Sequence, residues 1–339
     1  MPRDAAPTAD RPPRADTATL EGELEGYRRE LTGFCYRMLG SGSEAEDAVQ
    51  ETMVRAWRNL DRFEGRSALR SWLYRIANNV CIDMLRGPQR RARPMDLSPA
   101  GTVDSPLGAP VGEHAWVQPI ADARVVPPDA DPAAQAEARA SIRLAFVAAL
   151  QHLPPKQRAV LILREVLCWQ ASEVAELLDT TVASVNSALQ RARAGLAASE
   201  VAGGDGVPDP VVPDAEAEAL VARYVDAFER YDVTMLVSLL HEDAVMSMPP
   251  FPLWVQGAEE IGKFYVGPGM HCEGSRVIRI AANGLSGFAS YRIDPAGGHA
   301  PWGLHLIEVD GDRVVAQHSF IGPELFAEFG LPPHLDPAA

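Results

Sequence analysis

Residues 61–93 read DRFEGRSALRSWLYRIANNVCIDMLRGPQRRAR, a stretch that predicts an amphipathic helix with a basic outer face. Its apolar side chains recur at helical spacing: Trp72, Leu73, Ile76, Ala77, Val80, Met84 and Leu85. From position 55 to position 93, ten arginines stand against three acidic residues, a local charge of +7 in a chain of net charge −15. Because clustered arginine neutralises phosphates, this surface suits a polyanion. Composition alone also allows an ordinary helical bundle with a solvated arginine-rich face.

The composition is that of a soluble multidomain protein. A chain of 339 residues is too long for one ordinary core, so two or three domains are expected. No apolar run approaches the roughly 20 residues that span a bilayer, and the first residues lack the apolar core of a signal peptide. We therefore expect a cytoplasmic protein without a membrane partner. Four scattered cysteines without a C-x-x-C pair argue against a zinc site or a disulfide framework, and we predict no metal or cofactor.

The negative charge lies in the C-terminal part of the chain. Residues 200–339 carry 21 acidic and 7 basic residues, a net charge of −14, whereas residues 1–199 sum to −1. The acidity of the whole chain is therefore no argument against nucleic-acid binding by its N-terminal part.

Two helices are expected before the arginine-rich helix. Residues 1–20, rich in proline, alanine and aspartate, predict a disordered tail. Helices should follow over residues 20–39 and 44–60. The acidic first turn of the second helix suits the helix dipole, although the same face could dock on another protein.

Residues 94–132 lack helical or strand periodicity and predict a flexible linker, since so long a loop is uncommon inside a compact domain. Within them, residues 114–120 (HAWVQPI) form an apolar island. Because an exposed tryptophan in a linker is uncommon, we expect this island to pack on another part of the chain.

Helices are predicted over residues 133–153, 155–168, 171–178 and 182–196, and the last two have the layout of a helix-turn-helix. Ala175 is small where the second helix must approach, and Val182, Val185 and Leu189 should face inward. The outward set is rich in hydrogen-bond donors and free of carboxylates, as a major-groove helix requires: Thr181, Ser184, Asn186, Ser187, Gln190, Arg191 and Arg193. A generic helical hairpin is the alternative, but it leaves the absence of acids unexplained.

The chain changes character after a second linker, residues 199–213. Helices are predicted over residues 214–231, 233–240 and 258–265, with strands over 244–248, 276–282, 288–293, 302–309 and 313–320. Residues 310–312 (DGD) form a hairpin signal. We expect an α+β domain with a curved antiparallel sheet wrapped on helices.

The N-terminal helices, the long linker and the helix-turn-helix together resemble the extracytoplasmic-function (ECF) group of bacterial RNA polymerase sigma factors. The matching stretches are residues 45–57 (AEDAVQETMVRAW), 63–69 (FEGRSAL), 72–79 (WLYRIANN) and 153–158 (LPPKQR), with the helix-turn-helix. The resemblance implies a multidomain fold with two all-α sigma domains joined by the linker. These are a helical bundle, region 2, over residues 21–93 and a helix-turn-helix domain, region 4, over residues 133–198.

The resemblance also implies three binding surfaces. The surface for core RNA polymerase comprises Asp47, Gln50, Glu51, Met53 and Trp57, of which the last two would suit a core equally. The surface for the promoter −10 element, where a loop captures a flipped base, comprises Glu64, Gly65, Arg66, Ser67, Ala68, Arg75, Asn79, Arg86, Arg90 and Arg91. The surface for the −35 element comprises Thr181, Ser184, Asn186, Gln190 and Arg191, with Arg158, Arg164 and Arg193 on the DNA backbone.

Residues 214–335 resemble the SnoaL-like cone, an α+β fold that also houses ketosteroid isomerases and polyketide cyclases. The matching stretches are residues 224–228 (YVDAF), 239–245 (LLHEDAV), 254–257 (WVQG) and 320–326 (FIGPELF). ECF sigma factors with this appended domain form a subgroup in which many members carry a Trp-Leu-x-Pro element in the linker. Residues 116–119 (WVQP) depart from that element by one valine.

A pocket for an unknown small molecule is expected in the cone, lined by Met248, Trp254, Tyr265, Trp302, His305 and His318. An isomerase needs a carboxylate or imidazole in an apolar pocket with a matched pKa. No catalytic arrangement is recognisable among these residues, so we assign no catalytic residue. A tethered domain can instead regulate a sigma factor by contacting region 2 or the linker, and its −14 charge suits the basic surface.

The leading hypothesis is an ECF sigma factor that binds core RNA polymerase, directs promoter-specific initiation and is regulated by its C-terminal domain. A SnoaL-type enzyme on a vestigial DNA-binding segment is an alternative, which predicts turnover by residues 214–339 alone. A simple helix-turn-helix repressor is another alternative. It predicts tight duplex binding without polymerase and leaves the loop and helix over residues 63–91 without a role.

Overall fold

The N-terminal unit is a helical bundle in the computed structural model, which describes residues 17–60, 68–86, 91–198 and 215–337. Its helices are α1 (Thr17–Gly26), α2 (Arg28–Leu39), α3 (Gly42–Arg58) and α4 (Leu69–Met84). Leu31, Phe34 and Met38 lie fully buried on one face of α2, which packs on α3 and α4. No helix in the described ranges is long and apolar enough to span a bilayer.

The second unit is a helix-turn-helix with supporting helices. It comprises α5 (Pro132–Ala140), α6 (Leu144–Gln151), α7 (Pro155–Leu161), α8 (Ala171–Leu177) and α9 (Val182–Ala197), and α7 continues into a π-helical turn, Ile162–Val166. Ala175, Val185 and Leu189 are buried, as predicted. Val182 is 43% exposed, so the prediction that it faces inward is wrong: it lies in the first turn of α9, ahead of the buried positions.

The single helix predicted over residues 133–153 is two helices, α5 and α6, in the structure. Arg37 Nε donates to the Ser141 carbonyl at 3.1 Å, and Asn283 Nδ2 donates to the Ile142 carbonyl at 2.7 Å. These side chains take the carbonyl oxygens that an unbroken helix would bond internally. The break is therefore stabilised by the rest of the protein and has no signal in the local sequence.

The C-terminal unit, here called the cone, is a curved sheet packed on helices. It comprises α10 (Ala215–Glu229), α11 (Val233–Leu239), α12 (Ala258–Val266), α13 (Leu325–Glu328), β1 (Leu240–Ser247), β2 (Trp254–Gln256), β3 (Arg276–Ala282), β4 (Leu285–Ile293), β5 (His299–Asp310) and β6 (Arg313–Ile321). The strand order is β2-β1-β6-β5-β4-β3. The expected wholly antiparallel sheet is wrong at one place, because β1 and β6 pair in parallel. The meander from β3 to β6 begins at the far edge and ends beside β1.

The linker crosses the cone with fixed contacts, although it has almost no regular structure. The Gly101 amide donates to the Trp254 carbonyl at 2.8 Å, and the Val111 amide donates to the Pro250 carbonyl at 2.9 Å. In the apolar island Trp116 is 2% and Ile120 is 1% exposed, which confirms that the island packs on the protein. These backbone contacts leave no periodic pattern that a sequence could reveal.

One side chain of the cone bonds to all the other units. Asn283 and Gly284 form the two-residue turn between β3 and β4, with φ of 54° and 68°, as a type I′ turn requires. The Asn283 amide is fully buried, and its nitrogen donates to the Tyr36 hydroxyl at 2.6 Å and to the Ile142 carbonyl at 2.7 Å. Its oxygen accepts from the Ile120 amide at 2.9 Å. We call these three hydrogen bonds the Asn283 latch.

Candidate functional site

Helix α3 presents an exposed stripe of mixed acidic and aromatic character. Asp47, Gln50 and Glu51 are exposed, and Trp57 is 61% exposed on the same side of the helix two turns further on. Met53 is half-buried and packs on the core. Glu51 pairs with Arg55 at 2.6 Å. An exposed tryptophan within a polar rim is the composition of a protein-docking surface.

Helix α4 presents a polar face beside it. Ala68 lies exposed at the start of α4, and Asn79 and Arg86 are exposed, with Arg86 paired to Asp83 at 2.9 Å. The other members predicted for this surface, Glu64, Gly65, Arg66, Ser67 and Arg90, lie outside the described residues.

The helix-turn-helix unit packs against helix α4. Arg75 Nη2 donates to the Glu176 carbonyl of α8 at 3.1 Å. The rings of Tyr74 and Trp169 lie 4.9 Å apart, and the Arg70 guanidinium lies 5.0 Å from the Trp169 ring. In this conformation Arg75, which is predicted to contact DNA, bonds to the helix-turn-helix unit instead.

Two arginines predicted to contact DNA lie inside the protein. Arg91 is 6% exposed, pairs with Glu44 and donates to the Trp116 carbonyl at 2.9 Å. Arg158 is 4% exposed and donates to carbonyls on both sides of a unit boundary: Met38, Gln151 and Leu153. Neither guanidinium can reach a phosphate in this conformation, because both are buried and their terminal nitrogens bond to the protein. A basic pattern in the sequence does not distinguish a phosphate contact from an internal carbonyl contact.

Helix α9 carries an exposed donor face. Thr181 caps the helix by accepting from the Ser184 amide at 3.1 Å, and Asn186, Gln190 and Arg191 are exposed. No residue from 182 to 197 is acidic. Arg193, also exposed, pairs with Glu165 at 2.7 Å, and the half-buried Arg164 donates to the Trp169 carbonyl. The predicted −35 residues on α9 therefore share one solvent-facing surface.

The cone holds a partly open cavity of about 260 Å³. Four of the six predicted pocket residues line it: Met248, Tyr265, Trp302 and His305. The sequence prediction missed several further lining residues: Phe228, Phe264, Cys272, Gln317, Ser319 and the linker residues Val103, Ser105 and Leu107. The linker residues could not be found from the cone's own pattern, because they come from a segment more than a hundred residues earlier.

Trp254 and His318 do not line the cavity, and the prediction that they do is corrected. Trp254 Nε1 donates to the Ser98 carbonyl at 2.8 Å, so its ring fixes the linker. His318 lies 3.2 Å from Glu308, which also approaches Arg143 at 3.6 Å. Burial alone would raise the pKa of Glu308, but the hydrogen bond and charge of His318, with Arg143, lower it to about 2. Glu308 thus carries its charge at the boundary with the helix-turn-helix unit.

His305 is held neutral at the floor of the cavity. Its Nδ1 lies 2.9 Å from Ser319 Oγ, its Nε2 lies 2.8 Å from Ser290 Oγ, and its ring stacks on Phe288. Burial, with the nearby charge of Arg292, lowers the pKa of His305 to about 3. Both ring nitrogens are bonded to hydroxyls, which gives this imidazole a structural role in the described cone.

Comparisons with known proteins match all three units. Family models for Sigma-70 region 2, Sigma-70 region 4 and the SnoaL-like domain match residues 24–91, 143–196 and 221–317. The chain is similar to the ECF RNA polymerase sigma factor SigG of Mycobacterium tuberculosis, at 43% identity over 318 residues that cover 93% of this chain and 85% of the relative. It is 29% identical over 254 residues to the ECF RNA polymerase sigma factor SigJ of that organism, covering 72% of each chain. The crystal structure of SigJ shares the fold, with a TM-score of 0.57 at 22% identity, covering 92% of this chain and 99% of that chain.

Replacing His305 should change how stability depends on pH. The unfolded histidine binds a proton below its ordinary pKa of about 6.5, whereas the buried one does not until about pH 3. Its contribution to the free energy of unfolding therefore falls as pH drops below about 6.5, by up to about 1.4 kcal/mol per pH unit. The free energy of unfolding, measured with urea at several pH values from 5 to 7.5, should depend less steeply on pH for His305→Gln than for the natural chain.

The exposed His241 supplies the control, because His241→Gln should keep the natural slope. A His305→Gln chain with an unchanged slope would contradict the neutral, buried state of this imidazole.

Proposed function

The chain belongs to the extracytoplasmic-function (ECF) RNA polymerase sigma factors, and we propose that it binds core RNA polymerase through α3 and directs it to a two-part promoter. The observation that carries this proposal is the donor face of α9. A helix of 16 residues without one carboxylate, exposing amide, hydroxyl and guanidinium groups, suits base edges and phosphates in a major groove. Thr181, Ser184, Asn186, Gln190 and Arg191 would read the −35 element, with Arg193 on the backbone.

The α3 stripe would dock on the polymerase. Large aromatic side chains supply much of the energy of protein interfaces when a partner excludes water from them, and Trp57 lies on this stripe at 61% exposure. Asp47, Gln50 and Glu51 surround it with polar groups that fix orientation.

The α4 surface would hold the opened −10 strand. Asn79 and Arg86 are exposed there. Residues 64–68 come just before the helix in the sequence, and we propose that they receive a flipped base. Arg75 would join them once Glu176 releases it. Arg91 and Arg158 would instead serve the closed conformation, since their guanidiniums bond to internal carbonyls.

The described conformation would be a closed state that cannot engage a promoter. The −35 and −10 elements are separated by about 25 base pairs, or about 85 Å along B-DNA at 3.4 Å per base pair. Helices α4 and α8 touch, with Arg75 and Glu176 bonded at 3.1 Å. Both elements can be bound together only after the two helical units separate.

The cone would regulate the chain by holding this closed state. The Asn283 latch joins it to α2, to the linker and to the loop before α6, and Glu308 pairs with Arg143 in that same loop. These contacts favour the state in which α4 and α8 touch. The C-terminal domain would therefore inhibit initiation until polymerase or another signal opens the protein.

Arg191→Ala should reduce transcription from the chain's own promoters at least about fivefold, because a lost contact from arginine to a base typically costs about 1–3 kcal/mol of discrimination. The measurement is transcript yield from genomic fragments with core polymerase. Arg223→Ala, which removes the same charge from an exposed position on α10, should leave the yield unchanged. Absence of initiation by both the natural chain and the Asn283→Gly chain described below would contradict the proposed function.

Trp57→Ala should weaken binding to core polymerase by about 2 kcal/mol, or roughly thirtyfold, as loss of an aromatic anchor does. The affinity is measured by titrating core polymerase into labelled protein. Leu97→Ala trims another exposed apolar side chain, 58% exposed in the linker, and should leave the affinity unchanged. Equal affinities for all three chains would exclude α3 from the interface.

Asn283→Gly should open the protein while keeping the β3–β4 turn, because glycine accepts φ of 54° and lacks only the amide. Three lost hydrogen bonds, at about 1 kcal/mol each, should shift the closed-to-open ratio about a hundredfold. We expect a larger radius of gyration in X-ray scattering and a higher transcript yield. Asp312→Gly, in the exposed β5–β6 turn, is the matched control and should change neither. A compact Asn283→Gly chain with natural activity would refute the latch.

A further inference from the structure

We propose that the cone cavity binds a compact apolar molecule with one carboxylate, which pairs with Arg292 and touches the linker. The cavity is walled by aromatic and aliphatic side chains, among them Phe228, Phe251 and Met248. An apolar protein cavity of about 150 Å³ accommodates benzene. At about 260 Å³, this cavity therefore has room for an apolar body of roughly two fused rings.

Arg292 supplies a cation at the cavity that lacks a carboxylate partner among the described residues. Its guanidinium lies 3.4 Å from the centre of the Trp302 ring, and Nη2 donates to Cys272 Sγ at 3.3 Å. Its Nε is buried and makes no hydrogen bond within the described chain. A buried donor without an acceptor is unfavourable, and a carboxylate satisfies a guanidinium fork with two parallel bonds.

The polar side chains at the inner end of the cavity already have hydrogen-bond partners, so we place the ligand's polar group at Arg292. Gln317 Oε1 accepts from the hydroxyls of Tyr224 and Tyr265 at 2.6 Å and 2.9 Å. Gln317 Nε2 donates to Ser319 Oγ, which also lies within bonding distance of His305. A ligand with a polar group at the floor would have to break this network, whereas an apolar end would leave it intact.

The linker forms part of the cavity wall, so occupancy should favour the docked linker. Val103 and Leu107 line the cavity, and the Val103 amide donates to Glu260 at 3.0 Å. A ligand that touches both cone and linker binds the docked state more tightly than the undocked one. This coupling rests on the proposed function: the ligand would stabilise the closed sigma factor and so weaken polymerase binding. By thermodynamic linkage, polymerase would weaken ligand binding by the same factor.

The binding test compares 2-naphthoate with 2-naphthamide, which has the same shape without the charge, by calorimetric titration of the full chain. We expect the carboxylate to bind at least tenfold more tightly. Arg292→Gln should remove this preference while keeping the affinity for 2-naphthamide, which also shows that the variant is folded. Arg279→Gln removes an arginine on β3 that pairs with Glu218 outside the cavity, and it should retain the preference. Failure of both probes to bind, or a preference that survives Arg292→Gln, would overturn the site.

A linker variant tests the shared wall. Leu107→Ala should weaken both probes about threefold, and Leu97→Ala, a linker leucine that does not line the cavity, should not. An unchanged affinity in Leu107→Ala would exclude linker contact with the ligand. Saturating 2-naphthoate should also weaken core polymerase binding. If the ligand binds tightly and this binding depends on Arg292, but the affinity for polymerase does not change, the coupling is overturned and the binding site is retained. If polymerase does not bind under any condition, the proposed function is refuted instead.

Discussion

One buried amide, that of Asn283, bonds the cone to the helical bundle, the linker and the helix-turn-helix unit. Asn283 offers one carbonyl and one amino group, and three partners from α2, the linker and the loop before α6 bond to them. One planar amide makes all three contacts, so a movement of the amide would weaken them together, and the buried Ile120 amide and Ile142 carbonyl would lose this partner. The type I′ turn holds this amide in place, since Asn283 lies at φ of 54° between two paired strands. A local turn thereby fixes the relative position of three helical and linker segments.

Periodicity predicted most of the elements, because each helix or strand that packs one face on its own unit records that face in its sequence. The strand over residues 276–282 is an example in which the predicted limits match the structure. The break between α5 and α6 left no such record, since Arg37 and Asn283 impose it from elsewhere. The parallel pairing of β1 with β6 depends on where the chain enters the sheet, which local pattern does not determine.

The candidate site residues also fall into two groups: those that the local sequence predicts and those whose contacts only the fold determines. The exposed donors of α9 follow from helical spacing, whereas Arg91 and Arg158 carry the right charge but bond to internal carbonyls. A guanidinium can donate to phosphate oxygens and to carbonyl oxygens alike, so residue type cannot decide between them. The cavity adds a second limit: part of its wall is linker, and only the folded chain brings Leu107 to Arg292.

The size of the stabilisation of the proposed closed state would decide which partners can open it. The latch contributes about three hydrogen bonds at about 1 kcal/mol each, and a partly exposed ion pair such as Arg143 with Glu308 adds less than about 1 kcal/mol. Turning a state from 99% closed to 99% open takes about 5.5 kcal/mol, which one aromatic anchor and its surroundings can supply in a polymerase interface. A ligand at a hundred times its dissociation constant contributes about 2.7 kcal/mol if it binds only the closed state. Under these proposals, polymerase and ligand would therefore act on one equilibrium with comparable free energies and in opposite directions.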